Sequence, residues 1–399
     1  MEVRTEERIR AFLAANMTSE ERLQRIVAPT GPDGVHPADG WIYDPDLGFA
    51  HAKARHSGDG VNGTDTFYDY EPDGARRLVN CADRQARIHT YGDSFTHCDQ
   101  VNNGETWQEH LAAHLQEPIR NYGVGGYSVY QAYLRMKLAC TSGLRPDYLI
   151  LNIFDDDHYR NLVSWIRHAG QGLTRPCLRV DVAADSCVEH GPPIGTAAEL
   201  LSMRDIEFLL ATFGEDPLVY LAMALQSRGG EGLDFLEAAC DRLGVAVPGE
   251  AGDDIEAAEQ KVFTEAALFS SRKVVGMVEE FCHANRIRLM IVLSYGRKRM
   301  PEALQGQRRF DHDFVAWFAG RGMPIVDMQG CFKAEFEESG RDLDSFMRRY
   351  YIGGHHTPLG NMLTAWNLVD AVAQWLDPGP DSYRHLARAG GQEPAGARP

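Results

Sequence analysis

The run Tyr148-Leu149-Ile150-Leu151-Asn152-Ile153-Phe154 constrains this chain more than any other stretch. It is apolar almost without a break, and it sits between Arg145-Pro146-Asp147 and the polar cluster Asp155-Asp156-Asp157-His158. A strand with one face in water alternates apolar and polar residues. A strand apolar throughout is buried on both faces, as in a parallel sheet covered by helices. The neighbouring segments agree. Ile88–Tyr91 is a short β-prone run, and Thr106 leads a helical pattern with Trp107, Leu111, Ala112 and Leu115 on one face. Ile119–Tyr122 reads as a second short strand, and a helix starting near Ser128 carries Tyr130, Tyr133, Leu134 and Leu138. Strand and helix at these intervals are the rhythm of right-handed βαβ units.

The rhythm resumes late in the chain. A helix around Glu265–Asn285 precedes a strong strand, Ile287–Tyr295; a helix over 310–319 precedes a short one, Met323–Asp327. The glycine-rich stretch Tyr350–Asn361 then reads as a loop opening into a last helix that reaches Trp375 and Leu376. The expected fold is α/β: a three-layer α/β/α sandwich, flavodoxin-like, around a mainly parallel sheet of about five strands. Residues 162–260 interrupt it. Cys177–Pro193 reads as irregular, Ala197–Phe213, Leu218–Gln226 and Leu233–Leu243 as helical, and Gly244–Asp254 as loop. Such an insertion, placed after the third strand, either caps a pocket or offers a surface for a homo-oligomer. Residues 1–26 read as two short helices, with Thr18 and Glu21 as a capping box. Residues 29–87 are rich in Gly, Pro and Asp, with aromatic runs Trp41-Ile42-Tyr43 and Thr66-Phe67-Tyr68 that either line a cleft or pack a small core. The expected organisation is therefore an N-terminal part, 1–87, a main domain, 88–377, and a disordered tail, 378–399.

Charge and composition exclude several function classes. A formal charge of −17 repels phosphate backbones and anionic lipid, so neither nucleic acid nor a membrane is an expected partner. No apolar run has the length of a membrane span. The charged start Met1-Glu2-Val3-Arg4, without a signal-peptide pattern, and eight scattered cysteines without a C-x-x-C pair point to a cytoplasmic protein with reduced thiols. Gly123-x-Gly125-Gly126 is not a dinucleotide fingerprint, because Ser128 stands where the third glycine belongs. No cofactor is expected.

In open α/β sheets, ligands bind outside the carboxyl ends of the strands. Four segments fall at such ends: Ser94, Gly125-Gly126, Asp155 to Asn161, and His355-His356. A serine hydroxyl needs a base to take its proton, and histidine has the pKa for that near neutrality. Gly92-Asp93-Ser94-Phe95-Thr96 resembles the first block of the SGNH/GDSL hydrolase superfamily. Asn121-Tyr122-Gly123-Val124-Gly125-Gly126-Tyr127 resembles its second, and His355-His356-Thr357-Pro358-Leu359-Gly360-Asn361 its last. The blocks occur in the family's order over most of the main domain. The resemblance implies an esterase with Ser94 as nucleophile, His355 as base, and the amides of Ser94 and Gly126 in an oxyanion hole. Its expected substrate is a small acyl ester, such as an O-acylated carbohydrate or metabolite.

Two positions depart from the family pattern. The third oxyanion donor is an asparagine in the family, and the matching residue here is Asp156. Either Asp156 serves when protonated, or Asn161 or Arg160 replaces it, or two donors suffice. The family's acid, two or three residues before the histidine, is matched by Gly353 or Ile352. A backbone carbonyl, or a carboxylate such as Asp327, Asp342 or Asp344, must then orient the imidazole. His356 is the alternate base. The departures also admit an acyltransferase or a catalytically degenerate binding protein on the same fold. A metal site built on Asp155-Asp156-Asp157-His158 with His97, Asp99 and His355 is less suited, because three adjacent residues cannot all point at one ion.

Overall fold

Residues 3–29, 40–166, 173–227 and 230–383 are described in a computed structural model of the chain. Its centre is one five-stranded sheet formed by β1 (Ile88–Tyr91), β2 (Ile119–Asn121), β3 (Tyr148–Phe154), β4 (Arg288–Ser294) and β5 (Ile325–Asp327). The order across the sheet is β5-β4-β3-β1-β2, and every pairing is parallel. All seven residues of β3 are buried, as its apolar run requires. Helices α1 (Trp107–Leu115) and α4 (Pro358–Trp375) pack on each other; α2 (Val129–Thr141) and α3 (Ile255–Asn285) do the same. Right-handed crossovers put these two pairs on opposite faces, which yields the expected three layers.

Local chemistry accounts for the helix starts. Thr106 caps α1 by accepting from the Glu109 amide, and Ser128 caps α2 in a reciprocal box with Gln131. At the N-terminus the cap of Glu20–Val27 is Ser19, not Thr18, because the Ser19 hydroxyl lies opposite the Arg22 amide.

The insertion differs from its expected outline. Cys177–Asp181 and Ser186–His190 form an antiparallel hairpin rather than irregular chain, its two strands paired from Cys177 with His190 to Asp181 with Ser186. The second strand is largely exposed and mostly polar, so it carries little apolar signal. Helices follow at Ile206–Phe213, Pro217–Gln226 and Gly230–Leu243. The helix α3 begins at Ile255, ten residues before its expected start, because Asp254 caps it. The N-terminal helix Val3–Ala15 packs against this insertion and joins it through Arg8–Glu231 and Arg10–Glu207 pairs. The loop around His355 contains a tight pair of two-residue strands, Tyr351–Ile352 with His355–His356. Of the expected tail, residues 378–383 dock on the domain: Arg84 pairs with Asp381, and the Ser382 hydroxyl donates to the Leu115 carbonyl. Residues 384–399 lie outside the described residues.

Candidate active site

The order 2-1-3-4-5 reverses direction between β1 and β3, and that switch point opens a crevice at the strands' carboxyl ends. Ser94 enters it directly after β1 as the first residue of a single helical turn, Ser94–His97, capped by Asp93 through the Phe95 amide at 2.8 Å. The Ser94 hydroxyl donates to Asp93 Oδ2 at 3.1 Å. Arg160 Nη1 donates to the same oxygen at 3.0 Å, to Asp157 Oδ1 at 2.7 Å, and to the Tyr127 carbonyl at 3.2 Å. Burial pushes the Asp93 carboxyl up, against the pull of Arg160; burial and the nearby Asp93 push Asp157 up further. Burial opposes the charge on Arg160, but Asp157, Asp93 and Asp156 outweigh it and raise its pKa. A cation is thus held two hydrogen bonds from the Ser94 oxygen.

Gly126 faces the same crevice with φ +75°, a backbone conformation that side-chain-bearing residues rarely adopt. The buried Arg175 holds its carbonyl at 2.8 Å. Among the described residues, the amides of Ser94 and Gly126 have no acceptor.

Two cavities meet here. The larger, about 1500 Å³, is lined by Ser94, Gly126, Asp155, Asp156, Arg160 and His355 at one end. Its other end is the insertion, with Val163, Trp165, Phe213, Leu218, Leu221 and Ala222. The smaller, about 360 Å³, is lined by Trp41, His51, His56, Tyr68, Tyr70 and Gln100, among others. Trp41, Asp99, Gly353, Gly354 and His355 line both.

His355 Nδ1 lies 3.0 Å from Gln100 Oε1, and its Nε2 lies 3.9 Å from Asp99 Oδ2, beyond hydrogen-bond reach. The other Asp99 oxygen is bonded to His97 Nδ1; His97 Nε2 meets the Tyr70 hydroxyl at 2.9 Å, and that hydroxyl reaches His51 Nδ1 at 3.2 Å. Burial acts to raise the Asp99 pKa, but His97, His355 and His51 more than compensate and hold it well below the usual carboxylate range.

The other expected residues fall elsewhere. Asp156 lines the rim of the larger cavity with a side chain 59% exposed, and its partner is Arg160 Nη2 at 3.9 Å; no hydrogen bond joins it to Ser94. Asn161 is wholly buried outside both cavities, accepting from the Tyr130 amide and donating to Ser270 and Ser271. Its hydrogen-bonding capacity goes to bracing α2 and α3. His356 is buried and stacked on Phe332 with ring centroids 5.1 Å apart; burial pushes its pKa down to about 3. Asp327 pairs with Arg309, Asp342 caps the helix Leu343–Tyr350, and Asp344 is exposed beside Arg348, so none of these carboxylates meets His355. Asp155 accepts from the Gly296 amide, Asp157 from Arg160, and His158 bonds Ser271; the three turn in different directions. Among the described residues, no group of three or more His, Cys, Asp or Glu side chains is arranged to hold a metal ion.

Sequence reasoning missed Gln100 and its anchor Asp59. The one available signal was negative: with neither Gly353 nor Ile352 able to orient the imidazole, another group had to take that role.

No family model matches this chain, and no curated protein sequence does. Among solved structures, the chain is similar to a crystal structure of a member of the lipolytic protein G-D-S-L family from Veillonella parvula DSM 2008. The two share 13% identity with a TM-score of 0.34, over 71% of this chain and 96% of that one. A likeness of that size assigns neither family nor activity.

Proposed function

We propose that this chain is a serine-dependent hydrolase of small acyl esters that works through an acyl-enzyme. The observation that carries the reading is that Ser94 and His355 line one cavity at the sheet's switch point, with His355 Nδ1 engaged and, among the described residues, Nε2 without a hydrogen-bond partner. Ser94 is the nucleophile. Its hydroxyl turns about the Cα–Cβ bond from Asp93 to His355 Nε2, gives up its proton there, and attacks the ester carbonyl. As the new bond forms, the carbonyl oxygen becomes an oxyanion, received by the unpartnered amides of Ser94 and Gly126 beside the Arg160 guanidinium. Arg160 takes the place the family gives to asparagine; Asp156 does not. His355 then hands its proton to the departing alcohol, and a water activated by the same imidazole releases Ser94.

The larger cavity takes the acyl group, against the apolar side chains Trp165, Phe213, Leu218 and Leu221 at its far end. The smaller cavity takes the alcohol, since the histidine that lines it must reach the leaving oxygen. That second cavity also favours a related reading, in which an acceptor alcohol bound there replaces water and the enzyme transfers acyl groups. A series of p-nitrophenyl esters of increasing chain length tests the proposal. Turnover should be lost in Ser94→Ala and His355→Ala, and turnover surviving in Ser94→Ala ends the serine mechanism. Formation of a new ester when alcohols are added identifies transfer.

A further inference from the structure

Serine hydrolases place a carboxylate beside the histidine for two purposes: it orients the imidazole in the right tautomer, and it stabilises the positive charge that develops. We propose that in this chain the two tasks are divided, with Gln100 orienting His355 and Asp99 supplying the charge. The inference rests on the serine-hydrolase reading and names positioning residues for it.

The space beside the imidazole shows the substitution directly. Gly353 is one of the two positions where the acid was expected, and a Cβ on it would lie 2.8 Å from both the oxygen and the nitrogen of the Gln100 side-chain amide. A side chain at 353 and Gln100 in its present position exclude each other. Gln100 itself has φ +70°, a strained backbone for a residue with a side chain, and its backbone amide donates to the Tyr68 hydroxyl at 2.6 Å. The surrounding contacts hold that conformation and aim the side chain at His355.

The tautomer follows from the far end of the side-chain amide. Gln100 Nε2 lies 3.2 Å from the Asp59 carbonyl and 3.1 Å from Asp59 Oδ1, and both are acceptors. Asp59 is held in turn at Oδ2 by the Tyr68 hydroxyl at 3.2 Å and the Thr66 hydroxyl at 3.3 Å. Flipping the amide would set its oxygen against two acceptors, so Oε1 faces His355 Nδ1. An amide oxygen only accepts. His355 Nδ1 must therefore carry the proton, which leaves Nε2 bare to serve as base.

A neutral amide gives little help to an imidazolium, and here the charge comes from the other side. Asp99 Oδ2 is 3.9 Å from His355 Nε2, close enough to act on a positive charge that develops on the ring and too far to bind the nitrogen itself. The other titratable groups around the ring are Asp93 on the Ser94 turn, His97, and His356 on its own strand, with Asp59 behind Gln100. Burial drives His97 down to about 4 and His356 to about 3, so neither repels a charged His355 near neutral pH.

Long-range ¹H–¹⁵N spectra of ¹⁵N-histidine-labelled protein test the orientation without any substrate, with the His355 signal assigned by its absence in His355→Gln. The wild type should show the Nδ1–H form near pH 7.5, and Gln100→Ala should lose that preference. On p-nitrophenyl esters, Gln100→Ala should lower kcat about a hundredfold with KM little changed. Asp99→Asn should lower kcat about tenfold with KM little changed. In Gln100→Glu combined with Asp59→Asn, a carboxylate meets Nδ1 and the side-chain amide introduced at position 59 donates to its other oxygen, which offsets the backbone carbonyl of residue 59 facing the same oxygen. That variant should recover part of kcat over Gln100→Ala and move the acid limb upward. A residue that merely supported the fold would leave the tautomer and the acid limb in place. The Nε2–H form in the wild type, or Gln100→Ala with an unchanged tautomer and unchanged kcat, overturns the proposal. If turnover is indifferent to Ser94→Ala while the tautomer is as expected, the hydrolase reading fails and the catalytic role of Gln100 and Asp99 fails with it.

Discussion

Replacing Arg160 by methionine removes the one cation shared by two buried carboxylates. Asp93 and Asp157 are fully buried, and each receives a hydrogen bond from Arg160 Nη1, which also satisfies the Tyr127 carbonyl. Breaking a buried pair costs about 3–5 kcal/mol, because the partner charge is left in a poor solvent. The Arg160 side chain is 22% exposed, so the lower figure, about 3 kcal/mol, applies. At about 2 °C per kcal/mol for a large domain, the thermal midpoint should fall by about 6 °C. The loss should also depend on pH. Without Arg160, the two carboxyls escape the penalty by holding protons, so their folded pKa values rise further above the unfolded one. The folded state then binds more protons than the unfolded state, and stability declines as pH rises above about 4. Calorimetric scans of wild type and Arg160→Met at pH 5 and pH 8 read this directly, with the deficit larger at pH 8. The same variant should lose kcat on esters through the oxyanion. A midpoint shift under about 2 °C, equal at both pH values, would refute the buried-charge argument.

Asp155→Asn keeps an acceptor for the Gly296 amide but removes a carboxyl that burial, and then Asp156, push up to about 7. Because that folded pKa lies above the unfolded value, the wild-type carboxylate costs stability above about pH 4. The variant's thermal midpoint should therefore gain more over wild type at pH 8 than at pH 5. His356→Phe places an aromatic ring against Phe332 where a neutral buried imidazole lies, so ester turnover and the thermal midpoint should both stay close to wild type. Loss of turnover there with an intact fold would move the base from His355 to His356. Ala222→Phe fills part of the larger cavity's apolar wall, and kcat/KM should fall more for octanoyl than for acetyl esters. An equal loss for both would place the acyl chain elsewhere.

The sequence by itself determined the sheet strands, the helices that cover them and the layer architecture. The β3 run is apolar at every position but Asn152, so it had to be covered on both faces; Thr106 and Ser128 carry their own capping chemistry in the next few residues. These signals act over one turn or one strand, and a single chain displays them completely. The Ser94 turn was legible for the same reason. The hairpin at 177–190 was not, because its second strand is exposed and mostly polar and so leaves no alternating pattern. The orientation of His355 was decided by tertiary structure alone. Gln100 is 255 positions from the ring it touches, and Asp59 is another 41 from Gln100. Only the sheet order brings the loop after β1, the N-terminal lobe and the loop before α4 to one point. The same holds for Asn161, whose type suits an oxyanion donor but whose amide is used up between α2 and α3. A residue's chemistry is written in the chain; which groups consume its hydrogen bonds depends on neighbours that meet only after folding.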